Sequence, residues 1–221
     1  MTRRYIIHWL LAVLVFLSAL PFILWIFAPV IIAKYSPWLG PCVTALARMS
    51  NREDYSFRER FQSQVANLEL YTQPGNQEEV RKVAFWMLGI LGDKDSYGSF
   101  EQGAFDPDYS IKVHALSNVS GLTDDDRVIG LLSTFAKNED EQIRGIIADG
   151  FGCHLNPITI EVLHQLCYDQ RKSVKCRAII ALSNVSKQED RALGVSIIEE
   201  VLSKDESIRS CAERALRKIL N

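Results

Sequence analysis

The sequence predicts an all-α protein, an α-solenoid of stacked helical hairpins preceded by one transmembrane helix. Three observations lead there. An aliphatic residue followed by a base recurs as Val80-Arg81, Ile111-Lys112, Ile143-Arg144, Val174-Lys175 and Ile208-Arg209, at spacings of 31, 32, 31 and 34 residues. The fourth residue after each aliphatic is Ala84, Ala115, Ile147, Ala178 or Ala212, and the eighth is Leu88, Val119, Phe151, Leu182 or Leu216. Residues 6–33 carry no charge at all. Positions i, i+4 and i+8 share one face of a helix. A helical unit that recurs at this period buries its apolar stripe only by stacking on its neighbours.

The amino-terminal segment, residues 1–34, is read as the anchor. Only His8, Ser18, Pro21 and Pro29 interrupt the apolar run from Ile6 to Ala33, and about 20 apolar residues cross a bilayer. Tyr5, Trp9, Tyr35 and Trp38 stand near its two ends, where amphipathic rings sit at the interface. A buried core helix is the plain alternative, but it has no need of so long an uncharged run. A cleaved signal peptide is the other, and Ala45-Leu46-Ala47 resembles a cleavage site. Signal peptides place that site close behind a shorter core, whereas residues 34–47 intervene here, which favours a retained anchor.

Two signals oppose each other on orientation. Arg3 and Arg4 precede the span and only Lys34 follows it closely, which places the carboxyl-terminal domain on the extracytoplasmic side. Against this, the five cysteines, Cys42, Cys153, Cys167, Cys176 and Cys211, have no framework spacing. That reads as reduced thiols of a cytosolic domain, although Cys167 and Cys176 flank a predicted turn and could pair under oxidising conditions. The charge signal is given the greater weight.

Residues 35–76 are read as a linker and a capping helix. Pro37, Gly40 and Pro41 suit a bent exit from the membrane. A short helix is expected near 43–49 and a longer one over 52–71, where Phe57, Phe61, Val65 and Leu68 form an amphipathic stripe. Terminal units of solenoids are atypical, which suits a cap.

Residues 77–221 are read as the repeat domain, about four and a half units. The helices bearing the phrase are expected at 77–91, 109–119, 140–153, 172–184 and 205–220. Their partners are expected at 97–104, 124–137, 157–168 and 188–203, the first weakened by Gly98 and Gly103. Asp124, Pro157 and Gln188 stand where the partners begin. The hexapeptide Ala115–Ser120 recurs unchanged at Ala181–Ser186, 66 residues on, although the helix starts lie 63 apart. The later helix is therefore expected to be nearly one turn longer, with Asn118 and Asn184 closing the two ends.

An acid near the start of a helix, then Val/Ile-Arg/Lys, then Ala four on, paired with a second helix, resembles the HEAT repeat. At 31–34 residues it is similar to the short bacterial type of phycobilisome-lyase-like HEAT proteins. The acids concerned are Glu79, Asp108, Glu141 and Glu206; the fourth unit has Lys172-Ser173 instead, and the third replaces the alanine by Ile147. The resemblance implies a curved stack, a protein partner and a bacterial inner membrane for the anchor. The second helices are expected to line the concave face. As an alternative it implies a lyase-like or chaperone-like protein acting on a chromophore or protein substrate, with His164 or Cys167 as the reactive group.

The base in each phrase is expected to lay its stem over apolar neighbours and reach an acid of the adjacent unit. The alternative, a row of bases binding an anion, fits poorly with acids beside nearly every one. Only two of the 25 bases, Arg3 and Arg4, precede residue 34, so from residue 34 onward 23 bases face 27 acids, a net charge of −4. That balance argues against nucleic acid, which requires clustered bases.

One constellation could carry chemistry. Cys153-His154 and His164-x-x-Cys167 put two cysteines and two histidines on one hairpin, a set that tetrahedral zinc accepts. The spacing is not that of a zinc finger, and cysteine is a common small core residue, so packing is the stronger reading. His114 reads as a satisfied side chain, and Trp86 as core, with a groove anchor as its alternative. No catalytic residue, cofactor or metal is assigned. The reading is a membrane-anchored scaffold that is not an enzyme, with a membrane-associated protein partner and the bilayer held through residues 6–33.

Overall fold

The computed structural model describes residues 65–122, 125–184 and 188–220. The expected anchor, the helix near 43–49 and the first part of the capping helix lie outside them. Among the described residues no helix is long and apolar enough to cross a membrane, and every regular element is a helix.

Ten α-helices follow one another: α1 Val65–Thr72, α2 Glu78–Leu91, α3 Tyr97–Ala104, α4 Tyr109–Asn118, α5 Asp126–Phe135, α6 Glu141–Phe151, α7 Pro157–Leu166, α8 Lys172–Leu182, α9 Gln188–Lys204 and α10 Arg209–Leu220. The even-numbered helices from α2 carry the phrase, and the odd-numbered ones from α3 are their partners. Caps explain the boundaries. Asp108 and Asp140 each accept backbone N–H bonds at the starts of α4 and α6. Asn156 and Thr159 form a reciprocal capping box around Pro157. Gly92, at φ +63°, takes the left-handed conformation that closes α2 on Leu88 O. The helix expected to be least secure, α3, does form. A Cβ on Gly103 would stand 2.4 Å from Phe85 Cζ and 2.7 Å from Ala115 Cβ, so the glycine admits neighbours that hold the helix in place.

The recurring stripe is the core. All five phrase aliphatics and all five residues four positions on are buried, as are Leu88, Val119, Phe151 and Leu182 eight on. Leu216, in the last unit, is half-buried. Burying such a side chain contributes about 1.5–3 kcal/mol, against about 0–1 kcal/mol for an exposed ion pair. The stripe therefore dominates the stability.

The two helix layers pack differently, and this corrects one expectation. Phrase helices press on one another along the stack, α2 on α4, α4 on α6, α6 on α8 and α8 on α10, whereas successive partner helices meet sparsely. A Cβ on Gly89 of α2 would lie 2.6 Å from Asn118 O, and one on Gly121 would lie 1.9 Å from Gly89 O. In a bent stack the crowded layer lies on the inside. Close packing makes the phrase helices, and not the second helices, the layer on which a bent stack would be concave. Small residues at the inter-unit contacts are the cause.

The bases do bridge units, but through other acids than those beside the phrase. Arg144 makes a bidentate pair with Asp169, 2.6 Å from Nε and 2.9 Å from Nη2, and Nη1 donates to Asn138 O and Glu139 O. Arg81, 8% exposed, donates to Asp106 and, at 2.8 Å, to Thr72 O, which ties α1 to the stack. Asp106 and Asp169 each lie five residues before the next phrase aliphatic. In both, burial works to raise the carboxyl, and the bonds from the arginine and from a backbone N–H outweigh it and hold it below the usual range. Lys175 reaches Asp205 at 2.6 Å; with Ser207 it holds that carboxyl down to about 2. Asn138 occupies the equivalent place before Ile143, and Lys112 forms no ion pair among the described residues. Arg209 turns back to Glu206 and Glu213 of its own unit. Of the acids named beside the phrases, Glu79 and Asp108 have local duties, pairing with Lys82 and capping α4, while Glu141 reaches Arg171 of the next unit.

The repeated hexapeptide also departs from expectation. Helix α8 ends at Leu182, so the later copy runs into the turn instead of extending the helix. Asn118 closes its own helix by donating to His114 O. Asn184 instead donates across the stack to Gly152 O and accepts from Lys218 of α10.

Candidate protein-interaction face

The exposed side of the phrase-helix layer is a surface on which the units differ. With the stripe at i, i+4 and i+8 turned inward, the sixth residue after each aliphatic points away from the paired helix. That column reads Trp86, Ser117, Asp149, Ile180 and Arg214. Trp86 is half-buried and the other four are exposed. Trp86 thus packs on the core yet keeps a face in the column, which joins the two readings of it. Asp149 accepts from Arg177 Nη1 at 2.8 Å. Burial raises the Asp149 carboxyl, with Arg177 opposing. His114 lies in the same layer; burial first, and then the charge of Lys82, lower it.

The four residues of the possible zinc set are not brought together. Cys153 is exposed, and burial of its sulfur pushes the thiol up. His154 donates from Nε2 to Ser120 O at 3.0 Å, a bond between units. Cys167 is fully buried and its thiol is pushed up to about 12, which makes it a packing residue. His164 faces Glu200 at 3.6 Å and stacks beside Tyr168 in a polar cluster that joins α7 to α9. Among the described residues no group of three or more histidines, cysteines or acids could hold a metal ion. The set spans both layers, and Cys167 belongs to the core.

The reading of reduced thiols does not hold for two of the cysteines, and the pair that forms is not the alternative, Cys167 with Cys176. Cys176 of α8 and Cys211 of α10 form a disulfide, with Cα atoms 5.6 Å apart. They meet because residue i+2 of one phrase helix packs on residue i+3 of the next. The same register sets Gly145 against Arg177 one unit earlier. A signal existed in the sequence, since the two cysteines are offset from the register by one residue. The crowding of the phrase helices was needed to read it.

The described residues thus define a helical-repeat solenoid with a continuous inner face. No protein-family model matches the chain, and no curated protein does either. Among solved structures it is similar to the complex of CpcE and CpcF of phycocyanin lyase from Nostoc sp. PCC7120. The TM-score is 0.56 at 19% identity, over 69% of this chain and 98% of that one. It is also similar to a designed armadillo repeat protein in complex with the peptide (KR)4, with a TM-score of 0.45 at 16% identity, over 79% and 98% of the two chains. At these identities the likeness is one of fold.

Proposed function

We propose that this chain is a membrane-anchored scaffold whose inner face holds a partner protein and so serves the assembly or regulation of a membrane protein complex. The observation that carries this is the division of labour along the phrase helices. Their buried positions repeat from unit to unit, while their exposed column changes at every unit. A surface that varies over a constant frame is what selective binding along a stack requires. The uncharged run of residues 6–33 supports attachment to a bilayer, which raises the local concentration of a membrane-bound partner. The Cys176–Cys211 disulfide supports the oxidising, extracytoplasmic side, in agreement with Arg3 and Arg4 before the span.

Two measurements test this reading. A photo-crosslinker at Ser117, in native membranes, is expected to trap a discrete protein, and absence of any adduct along the inner column overturns the scaffold. Exposed Cys153 supplies the test of side in a Cys42→Ser variant. An impermeant maleimide is expected to label it in intact cells, and labelling only after lysis places the repeats in the cytoplasm.

A second reading, a lyase-like or chaperone-like protein, draws on the fold likeness to the phycocyanin lyase subunits. Sealed Cys167 is no candidate for its chemistry, which leaves His164. Loss of a turnover in His164→Ala, with helicity and partner binding intact, would favour it.

A further inference from the structure

The inner face is graded from one end to the other. At the α2 end its column presents Trp86, with half-buried Ile90 beside it one turn on. At the α8–α10 end the exposed bases are Arg177, Arg214 and Lys218, with exposed Ile180 among them. Asp149 is the acid set against them; it engages a single nitrogen of Arg177, whose remaining N–H groups are available. Among the described residues Lys218 engages only the neutral Asn184. The middle holds Ser117 and Cys153, with Asp149 between them as its one charged column residue. The chain as a whole is acidic, so this basic end runs against its general charge.

We infer that the inner face binds an extended acidic segment of a partner protein, with an apolar side chain against Trp86 and Ile90 and carboxylates against Arg177, Arg214 and Lys218. The inference rests on the scaffold reading and specifies the partner's chemistry. Helices packed about 8–10 Å apart set the first and fifth phrase helices roughly 32–40 Å apart. An extended chain covers that in about 10–12 residues. Arginine gives the carboxylate end directional, bidentate recognition, and the aromatic end fixes polarity by burial.

The test uses the full chain in detergent micelles and two fluorescent twelve-residue peptides. One carries leucines at one end and glutamates at the other; its counterpart has lysines in place of the glutamates. The acidic peptide is expected to bind, more weakly as salt rises. Its affinity should fall about tenfold in the combined variant Arg177→Gln, Arg214→Gln, Lys218→Gln. Those side chains are exposed, so the fold survives their change, which helicity verifies. Trp86→Ala is expected to weaken binding without altering its salt dependence; because Trp86 touches the core, Ile90→Ser is the companion variant. Equal binding of both peptides, or an affinity unmoved by the three glutamines, overturns the inference. An adduct at Ser117 in membranes together with no acidic-peptide binding overturns the acidic partner and leaves the scaffold standing. No adduct at all removes both.

Discussion

The two helix layers were built from similar material and do different work. In the phrase layer the unit-to-unit contacts are close, with Gly89 between α2 and α4, Gly145 between α6 and α8, and Cys176 and Cys211 between α8 and α10. In the partner layer the helices stand apart, and Gly130 of α5 has open space where a Cβ would go. Crowding decides which substitutions the molecule tolerates. The same residue type therefore carries opposite meanings on the two sides.

The largest effect is expected at the buried rung. Arg81→Ala leaves the Asp106 carboxylate buried without its partner and should cost about 3–5 kcal/mol in chemical denaturation. Arg81→Met with Asp106→Leu should lose much less, and equal losses would show that the pair is not a buried unit. Reduction of Cys176–Cys211 comes next. It links residues 35 apart, and the chain-entropy account gives about 3–4 kcal/mol. Hydrogen exchange should rise in α10 on reduction while α6 stays protected. Rapid alkylation of both thiols without reductant would show that the bridge is not formed.

The glycine pair then probes the layers directly. Gly89→Ala drives a methyl group into the end of α4 and should cost about 1–3 kcal/mol. Gly130→Ala in the open layer should gain about 0.5–1 kcal/mol from helix propensity. Thermal melts of the two should move in opposite directions, and a shared sign would erase the distinction between the layers. The smallest effect is acid sensitivity. Asp106, Asp169 and Asp205 titrate lower in the fold than free aspartate, at about 3.9. Their contribution is complete above that value and is lost as the pH falls through the folded ones, about 2 for Asp205. Neutralising Asp205 by Asp205→Asn should remove its share of the acid transition and leave the melt near pH 7 only slightly lowered.

Much of the fold was legible in the sequence because its signal is local. The five phrases located α2, α4, α6, α8 and α10 to within a few residues, and turn residues located their partners. What escaped depends on distances between helices. Asp106 and Asp169 stand at a constant five residues before a phrase, yet nothing in the chain says that this turn lies under the previous unit's arginine. Nor does an aliphatic stripe say which layer will crowd, since that depends on small residues such as Gly89 and Gly145, whose importance lies in what approaches them. The zinc set was misleading for the same reason. Cys153 and His154 precede α7, whereas His164 and Cys167 stand at its far end.

The inter-unit rungs have a consequence for how such a chain grows. Where a rung is complete, a unit offers a base to the unit after it and an acid to the unit before it, as Arg144 and Asp169 show. Duplicating or deleting a whole unit then leaves every donor with an acceptor. The array can change length by recombination without a compensating substitution elsewhere, and Asn138, where the acid is absent, marks a joint at which it has done without one.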